Sequence, residues 1–397
     1  MRRRQQREKR RKVGGAVMFL SLALVLPVTA NALRSNMDIL GLAGERLTTF
    51  AVIANMPEAG IDMLTERVWG GTSGQTEPPA DAPAPTPPVT DQPFPVYILD
   101  DDDEQNRPSL VGYEIIPTRP LVRPRIPPEY QAALVRENFA GREGGQVIRH
   151  GAGLIRNDTE LSNEYIQQVL ATPHSLNFVA DGQPQVLIYH THATEAFERH
   201  DSDVYDIRNT HRSNDNNINI VAVGAVMAQV LEENGIVVIH NSTQHDFPSH
   251  NRAYERSAQT VSHYLEQYPS IQIVLDIHRD AIERDNRMIV KPVTEINGEV
   301  AAQVMMLVGS DNGSLNMPAW RENLRFAAAF QDAMESAHPE LTRPAWLRHR
   351  RYNQHLSTGA VLIEIGSHAN TLEEAVFSAL LIGEVLAGFI NQMMVDN

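Results

Sequence analysis

The stretch VLIYHTHATEAF, residues 186–197, runs four apolar or aromatic residues into His190 and His192, and then, after a gap, into Glu195. A short apolar run of this kind reads as a strand buried on both faces. The two histidines then fall at its carboxyl end, and Glu195 one turn further on. With 15 His in 397 residues, about 0.6 His-x-His pairs arise by chance. The spacing alone is therefore weak, and the surrounding sequence has to decide between a metal site and a buried strand with a decorated loop.

Downstream, strand and helix alternate. Residues 217–233 place Ile220, Val223, Met227, Val230 and Leu231 near one helical face, and Asn234-Gly235 supplies the stop. IVVI (236–239) reads as a strand and 252–267 as an amphipathic helix ended before Pro269. IQIVLDIH (271–278), MIV (288–290) and VMMLVG (304–309) read as further strands, followed by a helix near 320–336. AVLIEIG (360–366) is a last apolar strand, and residues 371–392 close as a helix. Strands apolar on both faces and separated by helices predict an α/β domain, a mainly parallel sheet with helices on both faces.

Upstream the composition changes. Residues 1–12 are densely basic, and no charge occurs from Val13 to Leu33. Some 20 apolar helical residues cross the ~30 Å hydrocarbon core, so 13–33 predicts a transmembrane anchor with the basic end cytoplasmic and the rest extracytoplasmic. A cleaved signal peptide is the alternative, since Ala30-Asn31-Ala32 resembles a cleavage site. Residues 34–70 read as a juxtamembrane segment. Residues 71–130 hold a Pro-rich run and the acidic DDDDE at Asp100–Glu104, the composition of a disordered linker. Residues 131–179 read as an extension of the ectodomain and 180–397 as its catalytic part. The net charge of −15 argues against a nucleic-acid partner. Cysteine is absent, so any metal must be held by His, Asp, Glu or water.

Three strands end in groups capable of chemistry, where α/β sheets gather ligands. The first delivers His190, His192 and Glu195. The third sets Ile273, Leu275 and Ile277 on one face and Asp276 and His278 on the other. The last carries Glu364 between Ile363 and Ile365, and a buried charge there needs a metal, a hydrogen-bond network or a raised pKa. Two histidines and a carboxylate around an open position describe a catalytic zinc site, and a buried glutamate with a raised pKa suits a general base and then acid. Asp276 either orients a ligand histidine or faces solvent. Arg279 and Asp280 read equally as supports for Glu364 and as a structural ion pair. Arg351, Asn353, Gln354 and His355 could line a groove or sit in a solvated loop. Residues 198–216 are long enough for a lid, with plain exposed loop as the simpler reading.

The blocks VLIYHTHATEAF, NINIVAVGAVMAQVLEENGIVVIHNSTQHD, AYERSAQTV, YPSIQIVLDIHRDA, WRENLRFAAAF, RYNQHLS and VLIEIGSHANTLEEA resemble stage II sporulation protein P, over about residues 180–395 and in the same order. DIHRDA and RYNQHLS are the blocks specific to that family. The resemblance implies a membrane-anchored, zinc-dependent N-acetylmuramoyl-L-alanine amidase acting on peptidoglycan, with work in engulfment during endospore formation beside sporulation proteins D and M, and an endopeptidase activity. It puts the metal histidines at His192 and His278 and the catalytic glutamate at Glu364. The carboxylate ligand falls on Glu195, with Asp215 as the alternative, and His190 behind the ligands. The chain departs from the family at Ser367-His368, where a glycine-rich turn is usual.

Overall fold

The computed structural model describes residues 125–396. The expected basic segment, the span at 13–33, the juxtamembrane segment and nearly all of the linker lie outside the described residues. The apolar runs assemble side by side in one eight-stranded sheet. Its strands are β1 (Val147–His150), β2 (Gly153–Asp158), β3 (Val186–Tyr189), β4 (Val238–His240), β5 (Ile273–Asp280), β6 (Val304–Gly309), β7 (Ala345–Arg348) and β8 (Ala360–Ser367). They lie in the order β1-β2-β7-β6-β8-β5-β3-β4.

The expectation of a mainly parallel sheet preceded by a membrane helix is corrected: the sheet mixes both pairings, and among the described residues the helix of membrane-spanning length and apolarity follows the strands, at Leu372–Met393. The sheet is mixed: β1–β2 and β6–β8 pair antiparallel, and the other five pairs are parallel. The reversal at β6 has a local cause. No α-helix separates it from β5; strands Met288–Ile296 and Glu299–Ala302 form an antiparallel hairpin instead. Its turn is Asn297-Gly298, both with positive φ (54° and 85°), the two-residue turn that suits strand twist. Without a crossover the chain re-enters the sheet reversed. The hairpin joins Gln131–Glu137 and Val204–Asp206 in a second sheet, so part of the 198–216 segment is an ordered strand.

Five longer helices cover the main sheet: α1 (Asn163–Leu170), α2 (Ile220–Glu233), α3 (Ala253–Gln267), α4 (Trp320–Ala337) and α5 (Leu372–Met393). The alternation along β5 sorts the two faces. Ile273, Leu275 and Ile277 join Met227, Phe330 and Leu386 of α2, α4 and α5 in the main core, whereas Val274 lies with Leu187, Tyr189 and Val261 of α3. Helix α5 begins with a capping box, Thr371 and Glu374 each bonding the other's backbone.

Among the described residues α5 is the helix long and apolar enough to cross a membrane, and half of that stretch is buried inside the domain. It closes the domain rather than preceding it, so the candidate membrane helix among the described residues is C-terminal, whereas the expected span at 13–33 lies outside them. A core-covering helix packed on several neighbours reaches the same apolarity by a different route.

Candidate metal centre

Neighbouring strands bring the acid–base groups together. On adjacent parallel strands β5 and β8, His278 stands in register with Glu364, so the two side chains leave the same face. Strand β3 stops at Tyr189, opposite Asp276, and the chain turns through residues 191–194. The turn is pinned to β5: the Thr191 N–H and hydroxyl donate to the two Asp276 oxygens at 2.8 and 2.7 Å. His192 and Glu195 follow, both fully buried. Past Glu364, Gly366 takes φ +66° and the β8 register shifts before Ser367. A Cβ at Gly366 would stand 2.7 Å from Asn370 Oδ1, so this bend depends on glycine.

His192, Glu195, His278 and Glu364 therefore converge. The His192 and His278 rings lie 5.3 Å apart at 80°, and His278 Nδ1 is 3.4 Å from Glu195 Oε2. Two atoms bound to one tetrahedral zinc at ~2.0–2.1 Å stand about 3.4 Å apart. The other His278 nitrogen, Nε2, lies 2.8 Å from Asp276 Oδ1, a carboxylate beside a ligand-type imidazole, with neither ring nitrogen in aligned hydrogen-bond geometry. Glu195 Oε2 also accepts from the Arg279 N–H at 3.0 Å, while Oε1 is buried without a hydrogen-bond partner. The donor types, two imidazoles and a carboxylate, suit a divalent metal ion.

Charge follows burial. Glu364 is fully buried and neither of its oxygens has a hydrogen-bond partner. Burial first, then the neighbouring Asp280 charge, holds its pKa well above the usual carboxylate value. Burial opposes the charge on His278, but the carboxylates of Asp276 and Glu195 outweigh it and raise its pKa well above the ordinary value. Burial likewise opposes ionisation of Glu195, and His278 overcomes it, so that pKa is lowered.

A second donor set shares His192. Ligand atoms of His192, Asp246 and His250 all lie within 4.8 Å of one another and could coordinate a metal ion. His250 stacks on His192, centroids 4.4 Å apart. The Asp246 carboxylate is already engaged, accepting from Thr194 Oγ1 at 2.5 Å and from Arg212 Nη1 at 2.8 Å. Sequence reasoning passed over both residues, although the run QHDFPSH (244–250) is dense in imidazole and carboxylate.

Other expected residues are placed differently. Asp215 is exposed, and its Oδ1 accepts from the Asn217 backbone and side chain. Arg279 is buried and donates to the carbonyls of Ala196 and His211 at 2.7 and 2.6 Å, clamping the loop behind Glu195. Asp280 pairs with Arg343 at 2.8 Å. Gln354 binds the Gly309 N–H and the Leu307 carbonyl, both at 2.8 Å. His190 turns away: Nδ1 meets the Ile277 carbonyl and Nε2 the His240 Nε2, both at 2.9 Å.

That histidine pair gives a pH expectation. Burial lowers the His240 pKa to about 4 from 6.5, and burial and then His240 hold His190 well below its usual value. Between pH 6.5 and 4 the unfolded chain takes up protons that the folded pair refuses. Stability therefore falls as pH falls through that window, by at most about 3 kcal/mol for His240. Thermal unfolding of His240→Leu and wild type across pH 7.5 to 4.5 checks it: the acid limb of the variant is expected to be flatter.

Together these features define an α/β domain whose strand ends hold a buried histidine–carboxylate centre with metal-binding capacity. The sequence profile of stage II sporulation protein P matches residues 150–387, and the chain belongs to that family. The stage II sporulation protein P of Bacillus subtilis (strain 168) is 28% identical over 205 residues, 48% of this chain and 47% of that one. The chain thus matches about half the length of this curated relative. Among solved structures, the CwlD amidase of Clostridioides difficile, in complex with the GerS lipoprotein, is similar at 11% identity and TM-score 0.34, over 52% of this chain and 97% of that one. The N-acetylmuramoyl-L-alanine amidase AmiC2 of Nostoc punctiforme is similar at 12% identity and TM-score 0.32, over 53% and 96%. Neither the described residues nor the matched proteins support the expected complex with sporulation proteins D and M, and that expectation is withdrawn.

Proposed function

We propose that this chain is a zinc-dependent N-acetylmuramoyl-L-alanine amidase that hydrolyses the lactyl amide of peptidoglycan outside the membrane, in the engulfment stage of endospore formation. The observation that carries the chemistry is Glu364, buried and without a hydrogen-bond partner in register with His278. Family membership supports the substrate and the biological setting. His192, Glu195 and His278 would hold the zinc, which when bound supplies a Lewis acid and a more acidic water. Asp276 keeps His278 in the tautomer that turns Nδ1 toward Glu195. Glu364, its affinity for a proton raised by burial, takes the proton of the attacking water and gives it to the leaving amine nitrogen.

The test incubates the full chain with insoluble peptidoglycan, with zinc or with a chelator, and reads the soluble products by mass spectrometry. Free stem peptides beginning at L-alanine, absent with chelator, are the expected products. Fragments cut within the stem peptides would replace the amidase reading with an endopeptidase, and intact peptidoglycan in the presence of zinc would point to a binding scaffold.

A further inference from the structure

Tyr254 has a position that the proposed zinc donors and Glu364 leave unexplained. It sits in the first turn of α3, and its ring meets His192 edge-on, with centroids 5.6 Å apart and planes at 89°. Its hydroxyl is cut off from solvent and has no hydrogen-bond partner. A buried donor without an acceptor is unfavourable, and here it borders the reactive groups.

The segment that holds Tyr254 is itself strained. Tyr352 and Asn353 both adopt left-handed backbone, φ 45° and 54°, which is rare for a bulky residue such as tyrosine. This conformation aims Asn353 at α3, where its Nδ2 donates to the Tyr254 carbonyl at 2.8 Å and to Ser257 Oγ at 3.0 Å. Ser257 Oγ lies 2.8 Å from Thr191 Oγ1, which donates to Asp276. The Tyr352 ring, 6.4 Å from that of Tyr254, closes the far side. The AYERSAQTV and RYNQHLS blocks are thus tied to the same buried network as His278.

We propose that the Tyr254 hydroxyl donates a hydrogen bond to the carbonyl oxygen of the scissile amide, and that Asn353 is a positioning residue for it. The proposal rests on the hydrolase reading above. As the water oxygen bonds to the carbonyl carbon, the water proton passes to Glu364 and the carbonyl π pair moves onto its oxygen. That oxygen gains the negative charge that the phenol O–H meets, with no proton transferred. When the C–N bond breaks, the pair returns to restore the carbonyl, and the departing nitrogen takes the proton from Glu364. Burial raises the phenol pKa well above its ordinary value, so the hydroxyl stays protonated throughout at neutral pH.

The experiment compares the full chain as wild type, Tyr254→Phe, Asn353→Ala and the double variant, measuring kcat and KM on a soluble muramoyl peptide, zinc content and thermal midpoint. Loss of one oxyanion donor lowers kcat by roughly 10²-fold, so Tyr254→Phe is expected to do that with KM, zinc content and midpoint near wild type. Asn353→Ala should lower kcat less, and the double variant should be no slower than Tyr254→Phe alone. A kcat within twofold of wild type for Tyr254→Phe, or a loss of zinc that explains the deficit, would overturn the catalytic role. Independent, multiplying losses would overturn the positioning role. Cleavage by wild type at a different amide would refute the lactyl-amide reading yet leave Tyr254 measured on that bond, and no hydrolysis at all would overturn both.

Discussion

Replacing Glu364 by Gln is expected to reduce peptidoglycan hydrolysis by roughly 10²–10⁴-fold, the range of a general acid–base contribution, while making the metal-free fold more stable at neutral pH. The two effects share one cause. Glu364 lies buried with neither oxygen bonded, and burial together with the Asp280 charge raises its pKa well above 4.5. Below about pH 4.5 the residue is neutral in both states and sets no slope. As pH rises, the unfolded chain releases its proton first, so stability is lost progressively until the pH passes the folded pKa. Gln has nearly the same shape and no proton to release. The stabilisation by Glu364→Gln should therefore be absent near pH 4, grow with pH, and level off above the folded pKa. Thermal unfolding in chelator across pH 4 to 8, run beside product assays with zinc, measures both effects. Unchanged hydrolysis, or a variant less stable at pH 8 than wild type, would contradict this account of Glu364.

His278→Ala is expected to abolish zinc retention, and Asp276→Asn to weaken it by about 10–100-fold, the usual cost of losing the group that orients a ligand histidine. His278 has one nitrogen 3.4 Å from Glu195 and the other 2.8 Å from Asp276, so its ring lies between two carboxylates. Asp276 in turn accepts twice from Thr191, which fixes the turn carrying His192. Losing Asp276 thus loosens two proposed donors at once. His250→Ala should leave zinc affinity within a few-fold of wild type, because His250 stacks on His192 and belongs to the other donor set, with Asp246. Calorimetric zinc titrations of the three variants distinguish the donor sets. A His250 variant that loses zinc while the His278 variant keeps it would reverse the assignment.

Much of this was legible because burial and periodicity agree. The alternation in IQIVLDIH set His278 opposite the apolar face, and VLIEIG announced a charge inside a core strand. The reversal at β6 was legible only from Asn297-Gly298, a turn signal between a nine-residue strand with no clean alternation and a four-residue one. The early strands β1 and β2 left no strong pattern, since their hairpin is partly exposed. Asp246, His250 and Tyr254 escaped for another reason. They reach the centre from a loop and a helix start whose approach to β3 is tertiary, and no local spacing encodes it. His190 and His192 would share a face only if β3 continued; it stops at Tyr189, and the Thr191–Asp276 bonds separate the two rings.

The most direct test is anomalous X-ray diffraction at the zinc edge from crystals of the zinc-loaded chain. The account predicts a single strong peak bound by His192, Glu195 and His278, with Glu364 beside it. A peak among His192, Asp246 and His250, with Glu195 and His278 unbound, would contradict it.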